Sequence, residues 1–215
     1  MEKQHKFDVK LFTIIILIFV IIGMIVYYNI TTDSDTEQSS KSSHRAASSA
    51  EEKEAIEVVN RWLAAQKSES IRTLLEVTDA IGTDALAKSF TKQGSYYVIK
   101  NFDDNYYEMQ KKYEEISASS NYKSPEKYIE AQLESIYDNI TYTDIKIEQL
   151  ENLEKVSGTS NIYQIDFKAQ VTYVLALNKS EVSITLKGPL YLLQKEGEFY
   201  ILGTYDDIIA LNSVY

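Results

Sequence analysis

The clearest pattern in this sequence is a long alternation of apolar and polar residues. Every odd position from Tyr163 to Leu175 is apolar, and the even positions from Gln164 to Thr172 are polar. A period of two puts the odd side chains on one face of a β-strand and the even side chains on the other. Strands usually have about five or six residues, so a strand this long has to bend or to serve two regions of a sheet. The chain must therefore fold around a long strand with one dry face.

The elements on either side of this strand predict an α+β domain. Before residue 140, apolar residues recur at helical spacing and indicate three or four helices. The first opens with a capping box of Ser49 and Glu52, and a later one has Ser124 and Pro125 at its start. After residue 140 the period changes to two, and about four antiparallel strands follow. This order predicts helices packed on one face of a curved antiparallel sheet.

Four side chains are candidates for the lining of a pocket. Tyr163, Phe167 and Tyr173 belong to the dry face of the long strand, and Trp62 lies on the apolar face of the first helix. A buried tyrosine hydroxyl needs a hydrogen-bond partner and can contact a ligand. Because the chain has 17 tyrosines, packing of these side chains into a core is the simpler interpretation, and an open cavity is the alternative.

A second feature places the domain relative to a membrane. The segment from Leu11 to Tyr28 has no charge, and as a helix it would be about 27 Å long, close to the hydrocarbon thickness of a bilayer. Lysines precede this segment and acidic residues follow it, so the positive-inside rule places residues 1–10 in the cytoplasm. Residues 29–49 predict a flexible, Ser- and Thr-rich linker. Residues 50–215 then form one domain outside the cell membrane, with a cleaved signal peptide as the alternative to a single-pass anchor.

Composition excludes most catalytic chemistry in this domain. The chain has no Cys, and its two histidines, His5 and His44, lie outside residues 50–215. A thiolate nucleophile, a Ser-His triad and a histidine-based zinc site are therefore excluded there. The dry face of the long strand carries no acid or base, so no catalytic, cofactor-binding or metal-ligating residue is predicted. The formal net charge of −10 disfavours nucleic acid as a partner.

Two segments at the ends of the domain carry a resemblance to a known family. AIEVVNRWLAAQKSESIRTLLEVTD (residues 55–79) pairs two amphipathic helices, and YLLQKEGEFYILGTYD (residues 191–206) reads as an apolar hairpin. Both are similar to the opening and closing parts of the cone-shaped nuclear transport factor two-like fold, a cystatin-like α+β family. The resemblance covers residues 50–207 and implies helices packed into the hollow of a curved sheet. Its membrane-anchored members include scaffold proteins of conjugative type IV secretion systems, and a similar domain occurs in some cell-wall transpeptidases.

Three functions follow from these observations. The first is a membrane protein with a non-enzymatic extracytoplasmic interaction domain, such as a scaffold of a bacterial conjugation or secretion complex. Its expected partners are proteins of the cell envelope or a second copy of the chain. The second is a ligand-binding or cell-envelope regulatory domain with a pocket inside the cone. The third is an isomerase-like or dehydratase-like enzyme, which needs a buried carboxylate near a tyrosine. The predicted register shows none, although a slip of one residue would bring Asp166 inside.

Overall fold

A computed structural model of the chain describes residues 45–213. Six helices lie in this range: α1 (Ser49–Lys67), α2 (Ile71–Val77), α3 (Ala80–Ser89), α4 (Phe102–Ser119), α5 (Pro125–Tyr137) and α6 (Tyr205–Asn212). The strands are β1 (Arg45–Ala46), β2 (Phe90–Gln93), β3 (Tyr96–Ile99), β4 (Ile140–Lys155), β5 (Ile162–Leu175), β6 (Glu181–Lys195) and β7 (Glu198–Thr204). The predicted α+β class is confirmed.

The predicted cytoplasmic tail and the predicted membrane segment from Leu11 to Tyr28 lie outside the described residues. Within residues 45–213, no helix is long and apolar enough to cross a membrane.

One antiparallel sheet organises the domain. Its strands follow the order β1-β4-β5-β6-β7, and β2 and β3 form a separate hairpin. β4, β5 and β6 have 16, 14 and 15 residues. Bulges interrupt the pairing of β4 with β5 at three points, and Gly188 adopts a φ of 111° in the middle of β6. Bulges and such glycines bend a strand, so Gly188 marks a bend within one continuous strand.

The odd-numbered side chains of β5 define the inner face of this sheet. Those from Tyr163 to Tyr173 are buried, whereas Asp166, Lys168 and Gln170 on the outer face are exposed. The dry and wet faces predicted from the alternation are therefore confirmed. α1 packs on the inner face near the start of β5, where Val59 and Leu63 share one core with the strand.

Helices cover both faces of the sheet at the end formed by β6 and β7, so the prediction that they lie on one face is wrong. Successive side chains of a strand point to opposite faces. Leu190 and Leu192 join the inner core with α1, whereas Tyr191 and Leu193 pack with residues of α3, α4 and α6. This stretch of β6 has no polar position, which is typical of a strand buried on both sides.

The described fold contains more elements than the three or four helices and four strands predicted. The β2–β3 hairpin and α6 were not predicted, and α6 follows β7 directly with Thr204 and Asp207 as a capping box. The last residues of the predicted linker, residues 29–49, belong to the folded domain. Arg45 and Ala46 form β1 and pair with the end of β4, and α1 begins at Ser49. The N-cap of α1 is Ser48 rather than Ser49.

Candidate functional site

The four predicted pocket residues do not form one group. Trp62 and Phe167 contact each other, with ring centroids 6.2 Å apart. Tyr163 lies in the same core, and its hydroxyl is 3.2 Å from a side-chain oxygen of Glu51 and also of Gln194. Tyr173 belongs to a separate cluster farther along the sheet. Trp62, Tyr163 and Phe167 are thus part of the packing between α1 and the sheet.

Three tyrosines meet on the inner face at the other end of the sheet. Tyr142 of β4 stands opposite Tyr173 of β5, and their ring centroids are 6.1 Å apart. Tyr137 is the last residue of α5, and its ring centroid also lies 6.1 Å from that of Tyr142. The short connection between α5 and β4 brings these two rings together. Tyr137, Tyr142 and Tyr173 are referred to below as the tyrosine cluster.

Aliphatic side chains surround the tyrosine cluster and are only partly buried. They are Ile136, Ile145, Leu175, Val182, Ile184 and Leu186. Only Ile140, Val171 and Tyr173 are buried in this part of the sheet. The region around the tyrosine cluster, which we term the open half of the inner face, therefore keeps apolar surface in contact with solvent.

The hydroxyl groups of the tyrosine cluster have no hydrogen-bond partner among residues 45–213. In the same range, every buried polar side-chain atom has a hydrogen-bond partner. Because these three hydroxyl oxygens have none, they are not fully buried and must contact solvent. Burial of the rings raises the pKa of all three side chains above the usual value for tyrosine. All three hydroxyls are therefore protonated at neutral pH and available to a ligand.

The charges of two carboxylates act on the tyrosine cluster. After the larger effects of burial and of a neighbouring tyrosine, the charge of Glu69 further raises the pKa of Tyr137, and that of Asp207 further raises the pKa of Tyr142. Contacts between lysines and aromatic rings within the described part of the chain involve other tyrosines. None of these lysines lies over a ring of the tyrosine cluster.

A second polar group lies on the outer face, around Asp79 at the N-cap of α3. Its carboxylate accepts hydrogen bonds from the backbone N–H of Gly82 (2.7 Å) and from the hydroxyl of Tyr106 (3.0 Å), and it forms an ion pair with Lys195. Burial alone would lower the pKa of Lys195, but the bonds to Asp79 and Tyr106 and the charge of Asp79 outweigh it, so the net pKa is raised. A lysine held as a cation is not a general base at neutral pH. This cluster therefore fastens α4 to α3 and to the β6–β7 hairpin.

A polar groove of about 350 Å³ lies between the start of α4 and the loop from β4 to β5. Its lining includes Asp103 and Asp104, which are exposed in the first turn of α4. Negative charge there is stabilised by the helix dipole. Within residues 45–213, no group of three or more His, Cys, Asp or Glu side chains is arranged to hold a metal ion. The helix dipole accounts for the acidic side chains of this groove.

Sequence reasoning identified Tyr173 and missed Tyr137 and Tyr142. The period of two was predicted after residue 140, and β4 begins at Ile140, but neither tyrosine was predicted to line a pocket. The segment YDNITY, with a tyrosine on each side of a polar break, is the signal that would have found the pair. Asp166 lies exposed on the outer face and accepts a hydrogen bond from Asn152, so the register slip that would bring it inside does not occur.

Neither a protein-family model nor a curated protein matches this chain. Two solved structures share a limited likeness with it. A conserved protein from Planctomyces limnophilus is 10% identical, over 71% of this chain and 91% of its own, with a TM-score of 0.39. An LEH-like epoxide hydrolase from M. tuberculosis is 11% identical, over 74% and 90% of the two chains, with a TM-score of 0.32. At these TM-scores neither likeness carries an argument, and the link to type IV secretion stays a prediction.

Proposed function

We propose that this protein is a non-enzymatic binding protein, anchored in the cell membrane by Leu11 to Tyr28, with its α+β domain outside. The observation that carries the proposal is the open half of the inner face. There, free hydroxyls and partly exposed aliphatic side chains share one surface. Contiguous apolar surface rimmed by polar groups is typical of a binding site.

The chemistry of this surface favours binding over catalysis. Its tyrosines have raised pKa values and remain neutral. The carboxylate of Asp207 accepts hydrogen bonds from the backbone N–H of Thr204 (3.1 Å) and from its hydroxyl (2.7 Å) in the capping box of α6. Asp207 thus has a structural role at the start of a helix. A general base would need a lone pair directed at a substrate proton.

The path of the chain supports presentation of this surface away from a membrane. Arg45 pairs with Lys155 at the end of β4, whereas Tyr142 lies near the beginning of the same strand. Thirteen residues of strand span up to about 43 Å, less where bulges bend the strand. A linker that enters at Arg45 leaves the tyrosine cluster at the far end of the domain. A scaffold of a conjugation or secretion complex, with envelope proteins or a second copy as partners, would use such an arrangement.

Photocrosslinking in the native cell tests the binding surface. A photoreactive phenylalanine derivative is placed in the full chain at position 184, which is partly buried on the inner face, or at position 185, which is exposed on the outer face. The proposal predicts a discrete crosslinked product from position 184 and none from position 185. Equal crosslinking from both positions, or from neither, would contradict it.

The absence of cysteine allows a test of the topology. A single cysteine replaces Thr185 in the domain or Glu2 in the predicted cytoplasmic tail, and intact cells are treated with a membrane-impermeant maleimide. We expect labelling of the Thr185→Cys variant alone, and labelling of Glu2→Cys only after lysis. Protection of Thr185→Cys in intact cells would refute the extracytoplasmic location.

A second candidate function is acid–base catalysis on a small molecule. It is favoured by Asp207, because burial raises the pKa of its carboxyl group and its charge acts on Tyr142. Turnover of ketone or epoxide substrates by the full chain, lost in Asp207→Asn and kept in Asp206→Asn, would support this candidate. Turnover that Asp207→Asn leaves unchanged would exclude Asp207 as its base.

A further inference from the structure

We propose that the tyrosine cluster is a binding site for an alkylated ammonium group, carried by a small organic cation or by a side chain of a protein partner. This inference rests on the proposed function, because it names the chemistry that the open half of the inner face would bind.

The first argument is the geometry of the three rings. Tyr142 lies between the other two, and its plane is inclined by 60° to that of Tyr137 and by 60° to that of Tyr173. Rings inclined in this way do not stack, so each keeps a face that its neighbour does not cover. Uncovered faces of aromatic rings are the groups that bind quaternary ammonium ions.

The second argument is charge. Glu69 and Asp207 are the carboxylates whose charge acts on the cluster, and the domain around it is acidic. Other tyrosines of this protein already carry a cation from their own chain: Lys195 lies 4.4 Å from the ring centroid of Tyr106, and Lys111 lies 4.4 Å from that of Tyr107. No described lysine occupies the tyrosine cluster in the same way, so an external cation is the complementary ligand.

The third argument is the apolar rim. Val182 and Ile184 are partly buried beside the cluster and can contact the methyl groups of an alkylated ammonium ion. A hydrated metal ion or an unsubstituted ammonium ion makes no use of such a rim, because neither presents apolar surface. An anionic ligand would meet like charge. Only a cation with an apolar surface satisfies both the rim and the carboxylates.

Choline and its neutral isostere 3,3-dimethylbutan-1-ol test this inference, since the two have the same shape and differ in charge. Their binding to the full chain is measured by isothermal titration calorimetry. We expect choline to bind at least about fivefold more tightly than the isostere. A third compound, N-acetyl-lysine methylamide, stands in for the side chain of a protein partner. Tighter binding of choline indicates a small cation, and tighter binding of the lysine compound indicates a partner protein.

Ring substitutions locate the site. Tyr142→Leu removes an aromatic face and should weaken binding of the preferred cation at least about fivefold. Tyr142→Phe keeps the ring and should stay within about twofold of the wild type. Tyr137→Leu, at the end of α5, is a second variant in case Tyr142→Leu does not fold. Tyr107→Leu is the matched control, because Tyr107 is exposed on α4 and far from the cluster in sequence.

Two results would overturn the cationic site. One is equal binding of choline and the neutral isostere, with the binding of both lost in Tyr142→Leu. This result would exclude a cationic site but would still support the proposed binding surface. The other is the absence of binding by either cation while crosslinking from position 184 persists. If crosslinking from position 184 also fails, the proposed function falls together with the cationic site.

Discussion

Removing the charge of Asp79 should destabilise the domain by about 1–2 kcal/mol. In Asp79→Asn the side-chain oxygen still caps α3, since Asn and Asp are comparable N-caps. The ion pair with Lys195 is lost. A fully buried pair costs about 3–5 kcal/mol to break and an exposed one about 0–1. Asp79 is buried, but 36% of the Lys195 side chain is exposed, so solvent screening places the cost between these limits.

A double-mutant cycle with Lys195→Met isolates the pair. Lys195→Met keeps the apolar stem over Tyr106 and leaves Asp79 with two hydrogen bonds, so we expect about 1 kcal/mol for this change alone. The double variant should lose less than the sum of the single changes, with a coupling of about 1 kcal/mol. Trp62 is the only tryptophan of the chain, so its fluorescence during urea unfolding of the full chain reports this domain.

The same cycle has a clear negative outcome. A coupling energy below about 0.3 kcal/mol would mean that the pair contributes no more than many surface ion pairs do. The attachment of α4 would then depend on the apolar contacts of Phe102 and Met109 instead of the Asp79 cluster.

Two further predictions concern the end of β7 and the start of α3. Burial raises the pKa of Asp207 above its unfolded value of about 3.9. Its stabilising contribution is therefore complete below that value and is lost as the pH rises through the folded pKa. The free energy of unfolding of the wild type, minus that of Asp207→Asn, should therefore increase as the pH falls from 7 towards 4. Urea titrations that give the two proteins the same pH dependence would refute this prediction. Gly82→Ala should destabilise the domain by about 1 kcal/mol, although Ala has the better helix propensity. The added Cβ would lie 2.8 Å from Leu202 Cδ2 and 3.1 Å from Asp79 Cγ. An unchanged urea midpoint would contradict this prediction and would show that the buried Leu202 can move aside.

The sequence predicts the parts of this fold that a repeating pattern controls. The alternation in β5 and the hairpin of residues 191–206 are local features, and each appears where the pattern places it. The elements that were missed depend on distant partners. The β2–β3 hairpin is stabilised by Phe90 packing against Tyr191, and α6 packs against the outer face through Ile208 and Leu211; no local pattern encodes these contacts. The tyrosine cluster was missed for the same reason, since Tyr137 and Tyr142 meet across a helix end and a strand.

The open half of the inner face has a geometric origin in the lengths of the elements. α1 has 19 residues and spans about 28 Å, whereas the 14 residues of β5 span about 46 Å. Even if α1 lay along the strand, it would leave more than a third of the inner face uncovered. α5 reaches that part only with its last turn, where Ile136 and Tyr137 pack against the sheet. A domain selected for packing alone would be served by shorter strands, because each residue of uncovered strand leaves apolar surface in water at a cost of about 25 cal/mol per Å². The proposed ligand or partner would cover this excess strand length, which belongs to the same surface that the crosslinking and choline experiments address.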